Sequence, residues 1–156
     1  MTEARWLDEG EQRAWRSLMV LQEELMEFLD RQLRTRCGLS SADYRVLAHL
    51  SETPGGRLRS YELGGLLGWE KSRLSQHLGR MEKRGLVTRE RCETDQRGAF
   101  AAITPQGADL IRAAAPQHVV DVRAAFIDQL TPAELQTLTV IGDKVRARLG
   151  DLSAPE

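Results

Sequence analysis

The sequence predicts a mainly α-helical fold with one small β-hairpin, and three observations carry that expectation. Apolar residues recur at helical spacing over two long stretches, 11–36 and 105–149. Between them a shorter helical pattern over 70–84 has a polar back and ends at Gly85. Immediately afterwards, LVTRERC and AFAAI place strand-forming residues on either side of the turn-rich TDQRG. At 156 residues the chain suits one domain, 1–156, large enough to bury a core without metal or disulfide support.

The first helix is expected over Glu11–Arg36, where Trp15, Leu18, Met19, Leu25, Met26, Leu29 and Leu33 recur and Cys37-Gly38 stops it. At a rise of 1.5 Å per residue it would be about 39 Å long, more than a small module needs. Ser40, with Asp43 three residues on, opens a second helix through Val46, Leu47 and Leu50 to the break at Thr53-Pro54-Gly55-Gly56. A brief strand around Leu58, a helix over Ser60–Leu67 and a Gly68-Trp69 turn lead into the 70–84 helix. The hairpin that follows rests on its punctuation more than on strict alternation. Thr104-Pro105 then caps a helix carrying Leu110, Ile111, Val119, Val122, Phe126 and Ile127. Pro116 removes one of its hydrogen bonds, so a kink is expected near 112–116. Thr131-Pro132-Ala133-Glu134 matches a capping box for a last helix with Leu135, Leu138, Ile141, Val145 and Leu149, and disorder is expected past Gly150.

Within 70–84, Leu74, Leu78 and Met81 share one stripe suited to burial. The opposite side carries Ser72, Gln76, Gly79 and Lys83, flanked by Arg73 and Arg80, with Ser75 and His77 nearer its edges. Hydroxyl, amide and guanidinium groups are those that bond base edges and phosphates, so this helix is chemically suited to a DNA major groove. Ser72, Arg73, Ser75, Gln76 and His77 are assigned to base edges, Lys71 and Arg80 to phosphate. On the hairpin tip Arg97 can reach a narrow minor groove, with Asp95 two residues before it to orient the guanidinium. The plainer reading stays open at this point: any surface helix has a polar back, and Asp95 and Arg97 are ordinary turn residues.

RMEKRGLVTRERCETDQRGAFAAITPQG at 80–107 resembles the MarR family of winged helix-turn-helix regulators, with an EKRGLV-like helix end, a D-x-R wing and an LT-x-x-G-like entry to the next helix. Looser similarity extends over GLSSADYRVLAHLSE at 38–52 and LTPAEL at 130–135. Ile103 stands where Leu is usual, and Gly64 and Gly65 stand where alanine is more common. Each glycine would loosen its helix by about 1 kcal/mol relative to Ala. The resemblance implies a winged lobe at 40–104 and dimerisation helices at 11–36 and 105–149. It also implies that Arg97 is the minor-groove residue with Asp95 its partner. Small aromatic or phenolic effectors often bind a cleft between the terminal helices and the winged lobe in this family; Trp15, Met19, Tyr44, His49 and His118 lie on the elements bordering it. Each of these is more simply a core or surface residue.

The amount of apolar helix independently argues for a twofold homodimer, against a monomer that folds its end helices over the hairpin. Two readers would engage double-stranded DNA half-sites ~34 to 36 Å apart, an inverted repeat. Net charge is −1 overall, but 57–97 holds 10 Lys and Arg against 6 Asp and Glu, a net of +4, and the remainder is −5. No nucleophile–base pair is joined by spacing, and Gly64-Gly65-Leu66-Leu67-Gly68 lacks the ending and the preceding strand of a phosphate loop, so no enzyme and no cofactor are expected. Cys37 and Cys92 have no metal-ligand spacing; two reduced thiols are the simpler reading, a cysteine-based redox-sensing regulator the other. The charged N-terminus and an apolar run no longer than AFAAI predict a cytoplasmic protein without a membrane partner. The expected function is a DNA-binding transcriptional regulator, a repressor in preference to an activator. A winged module that joins proteins is the alternative, and it predicts an acidic or apolar face on 70–84.

Overall fold

The computed structural model describes residues 4–91 and 99–153. Among these, six α-helices and a three-stranded antiparallel sheet follow in the order α1 (Glu9–Cys37), α2 (Ser41–Glu52), β1 (Arg57–Arg59), α3 (Ser60–Leu67), α4 (Lys71–Lys83), β2 (Val87–Arg91), β3 (Ala99–Ile103), α5 (Pro105–Ala125) and α6 (Pro132–Ser153). The fold class is therefore as expected. The chain divides into two compact units, Met1–His118 and Val119–Glu156.

In the first unit, helix ends are set by short-range chemistry. Asp8 and Glu11 form a reciprocal capping box that starts α1 earlier than expected, and Gly38 ends it with φ +66°. Ser40 accepts from the Asp43 N–H while the Asp43 carboxylate accepts from the Ser40 N–H, so α2 begins where its sequence indicates. Asp30 of α1 accepts a further 2.7 Å bond from the Ser41 N–H, tying α1 to the start of α2. Gly68 and Gly85, both left-handed, end α3 and the turn after α4. The guanidinium of Arg45 donates to the Leu67 carbonyl, satisfying one of the last acceptors of α3.

The core gathers Leu39, Val46, Leu47 and Leu50 with Leu63 and Leu67 of α3, Leu74, Leu78 and Met81 of α4, Val87 and Ala101 of the sheet, and Ile111 of α5. Burying each leucine side chain contributes about 2 kcal/mol against the entropy of ordering it. In the sheet, β3 lies between β1 and β2. Ala101 pairs with both Leu58 and Arg89 and faces the core, so Phe100 and Ala102 face the other way. The strand expected near Leu58 thus completes the wing sheet.

One buried carboxylate joins α2 to α4. Asp43 Oδ2 accepts a 2.7 Å bond from Arg84, which also donates to the Gly38 carbonyl at 2.8 Å. Asp43 Oδ1 lies 2.9 Å from His77 Nε2, in a bent rather than linear contact. Burial alone would push the Asp43 pKa up, but His77, Arg84 and the Ser40 N–H together hold it well below the ordinary carboxylate range.

A second joint links α4 to α5. The Thr104 hydroxyl donates to the Gly85 carbonyl at 2.6 Å and accepts from the Gly107 N–H at 3.0 Å. A Cβ on Gly107 would stand 2.2 Å from the Leu86 carbonyl oxygen, so only glycine fits. Helix α5 runs unbroken from Pro105 to Ala125 with Pro116 inside it, so the proline does not end the helix. In the second unit, a 3-10 turn at Ile127–Gln129 precedes the Thr131–Glu134 capping box. Helix α6 then continues to Ser153, past the expected limit at Gly150. It has no buried residue.

The two α3 glycines separate on geometry. A Cβ at Gly64 would meet the Trp69 carbonyl at 3.3 Å, whereas Gly65 opens onto free space. Gly65→Ala should therefore raise stability by about 1 kcal/mol, and Gly107→Ala should lower it by roughly 1–3 kcal/mol, both read by urea unfolding. Because folded Asp43 ionises more readily than in the unfolded chain, its stabilisation is complete above an unfolded pKa of about 4 and is lost as pH falls through its lower folded value. Asp43→Asn should cost about 2 kcal/mol at neutral pH and flatten the acid limb of a stability–pH curve; an unchanged acid limb would exclude the carboxylate from it.

Candidate nucleic-acid interface

Helix α4 is anchored by Leu74, Leu78 and Met81, all buried, and this fixes which side chains remain outside. Lys71, Ser72, Arg73, Ser75, Gln76 and Arg80 are all exposed on it. Trp69, buried just before the helix, orders its first turns. Its indole lies 4.4 Å beneath the Arg73 guanidinium and meets the His77 ring edge-on at 5.2 Å.

His77, expected with these residues at the base edges, is placed differently. Its ring is nine-tenths buried and points toward Asp43, away from the exposed face. Arg80 Nη2 lies 3.1 Å from Nδ1 and can only donate, so Nδ1 accepts, leaving Nε2 on the side of Asp43 in the bent contact described above. The ring thus faces Asp43 and not the exposed ridge of α4. Its physical role in the helix is to bridge Asp43 and Arg80.

A groove lies on each side of α4. The larger, about 1400 Å³, is lined by Arg59, Tyr61, Lys71, Ser75, Arg89 and Arg91 among others. The smaller, about 430 Å³, is lined by Arg34, Arg73, Arg80 and Arg84 with Asp30, Asp43 and His77. Carboxylates partner some of these guanidinium groups, Asp30 with Arg34 and Asp43 with Arg84. The exposed ridge of α4 is thus polar and basic, with a basic groove along either flank.

Asp95, Arg97 and Cys92 lie outside the described residues. Cys37 is a free, half-buried thiol at the end of α1. Among the described residues no group of three His, Cys, Asp or Glu side chains could hold a metal ion, and no helix is long and apolar enough to cross a membrane. Of the residues expected near an effector cleft, Tyr44 and His118 do meet, with ring centroids 4.2 Å apart, while Trp15 and Met19 are exposed.

The sequence expectation did not include Arg59, Arg89, Arg91 or the Asp43 contacts. A signal for Arg89 and Arg91 exists in VTRER, where a period of two puts both arginines on one face of β2. The capping spacing announces Asp43 as a helix start, but no local pattern announces its contacts with His77 and Arg84, which lie far downstream in another helix and the turn after it.

The model of the MarR family matches residues 38–98. Comparison with curated proteins gives no significant match. Among solved structures, AbsC, a MarR family transcriptional regulator from Streptomyces coelicolor, is 40% identical, with 95% of this chain and 99% of that one covered and a TM-score of 0.90. Sco3205, a MarR family transcriptional regulator of the same organism solved in complex with DNA, is 41% identical over 92% of this chain and 94% of its own, with a TM-score of 0.89. A mutant MarR from E. coli, complexed with operator DNA, shares the fold at 22% identity, covering 89% and 99% with a TM-score of 0.74. An ordered wing sheet after an exposed basic helix, together with 40% identity along nearly the whole of both chains, leads to one assignment: this chain belongs to the MarR family of transcriptional regulators.

Proposed function

We propose that the protein is a homodimeric, sequence-specific DNA-binding repressor that reads an inverted-repeat operator with α4 in the major groove. One observation carries this: the polar ridge of α4 stands between two arginine-lined grooves, an arrangement that suits a helix lying between two phosphate backbones. The 41% identity to Sco3205, which was solved with DNA, supports it. In this reading Ser72, Arg73, Ser75 and Gln76 meet base edges, while Lys71 and Arg80 meet phosphate. His77 acts from beneath by holding Arg80, and Arg97, oriented by Asp95, enters the minor groove. The protein-joining alternative predicts an acidic or apolar face on α4, and that face is neither.

Dimerisation is supported in each unit separately. On α1, Trp15, Leu18, Val20, Leu21 and Met26 are exposed, and on α6 so are Leu138, Ile141, Val145 and Leu149. A second copy would cover these faces and fix the separation of two readers, with 40–104 as the DNA-binding lobe and 11–36 and 105–149 as dimerisation helices. Occupying an operator that overlaps a promoter excludes polymerase, hence repression. The family resemblance supports release by a small aromatic effector, with the protein acting in the cytoplasm where its operator lies.

Selection from a random duplex pool at several salt concentrations should return an inverted repeat, and recovery of no preferred sequence would end this reading. Against that sequence, Gln76→Ala should lose about 1–3 kcal/mol of base discrimination; equal weakening on random DNA would reduce Gln76 to a phosphate contact. The double variant Ile141→Asp, Val145→Asp should run as a monomer on sizing chromatography and bind operator about 10²-fold more weakly, whereas a dimer of normal affinity would place the interface elsewhere.

A further inference from the structure

We propose that Glu82 and Arg89 form a latch that sets the angle between the wing and α4, and that they act on DNA reading through that angle. The inference rests on the DNA-binding reading above and adds two positioning residues to it. Helix α4 and β2 are joined by a short hydrogen-bonded turn at 84–86, and β2 pairs with β3 along its length; what ties the outer edge of β2 back to α4 is a side chain. The Glu82 carboxylate accepts from the Arg89 backbone N–H at 3.1 Å and from Nε at 2.9 Å, and its ion pair with the guanidinium brings Nη2 to 2.8 Å. One carboxylate therefore holds both the backbone and the side chain of the same strand residue.

From Glu82 the arginine reaches back along the helix. Its guanidinium lies 3.7–3.9 Å from where a Cβ would stand on Gly79, and Nη1 comes within 3.5 Å of the Ser75 carbonyl. Ser75, Gly79 and Glu82 share one stripe of α4, and Arg89 covers it as a rail. The space at Gly79 is thus filled from inside the molecule. Hydrogen bonds from the side chain and then the backbone of Arg89 hold the Glu82 carboxyl below its ordinary range, so it stays ionised at neutral pH.

A latch and a mere surface carboxylate predict opposite signs. Removing a negative charge beside a DNA-binding face should by itself strengthen binding to any duplex. If the latch operates, Glu82→Gln weakens operator binding about tenfold while leaving or raising affinity for random duplex, with thermal unfolding unchanged. Glu82→Asp keeps the charge but shortens the reach, and should lose operator affinity without gaining on random DNA. In the Arg89→Gln background, Glu82→Gln should cost much less than in the unmodified protein, because only the backbone bond remains to be weakened. The Arg89 amide should exchange faster in Glu82→Gln by hydrogen-exchange NMR. Equal gains on both duplexes, or additive losses in the double variant, would overturn the proposal. If the unmodified protein selects no sequence, the DNA reading fails first; faster Arg89 exchange then upholds the latch by itself, and unchanged exchange overturns it.

Discussion

A carboxylate removed from water must find cations or donors, and in this chain that requirement orients α4. Asp43 belongs to the capping box of α2, so its backbone position is fixed by helix initiation. Its two oxygens then draw His77 from the middle of α4 and Arg84 from its end. Two attachment points, one mid-helix and one at the terminus, fix the rotation of a helix about its own axis as well as its position. Leu74, Leu78 and Met81 supply the burial energy, but an apolar stripe alone tolerates rolling by tens of degrees. The charged contact removes that freedom, and with it any ambiguity about which side chains face outward.

The same helix is held at its other boundaries by independent means. Thr104 and Gly107 close the joint to α5 by hydrogen bonds and a backbone approach that no side chain would permit. Trp69 fixes the first turns from below. These contacts come from elements distant in sequence, so the exposed ridge inherits its rigidity from the whole lobe. For a reader of base edges that rigidity supports discrimination, since a loosely held donor bonds several bases equally well.

What the sequence revealed divides along the range of the interaction. Ser40, Gly38, Gly85 and Thr131 act on residues three or four positions away, and the elements they bound were legible at once. Asp8 was equally local, since its box with Glu11 is visible in DEGE, and the expected start of α1 missed it. Pro116 was legible too: its missing N–H is local, and α5 continues through it as one long helix, as expected. His77 was the case sequence could not decide. At the edge of the stripe its periodicity allows either direction, and the choice belongs to Asp43, in another helix. The grooves beside α4 were illegible for the same reason, being assembled from α1, α3 and the sheet.

The sheet that carries the wing is small and has two open borders, the usual places for one protein to recruit a strand from another. One border, β1, is three residues long and has arginine at both ends. On the other, the Arg89 amide that would pair with an incoming strand is already occupied by Glu82. Shortness with flanking charge on one border and an occupied amide on the other both disfavour cross-chain strand addition, devices by which narrow sheets discourage edge pairing.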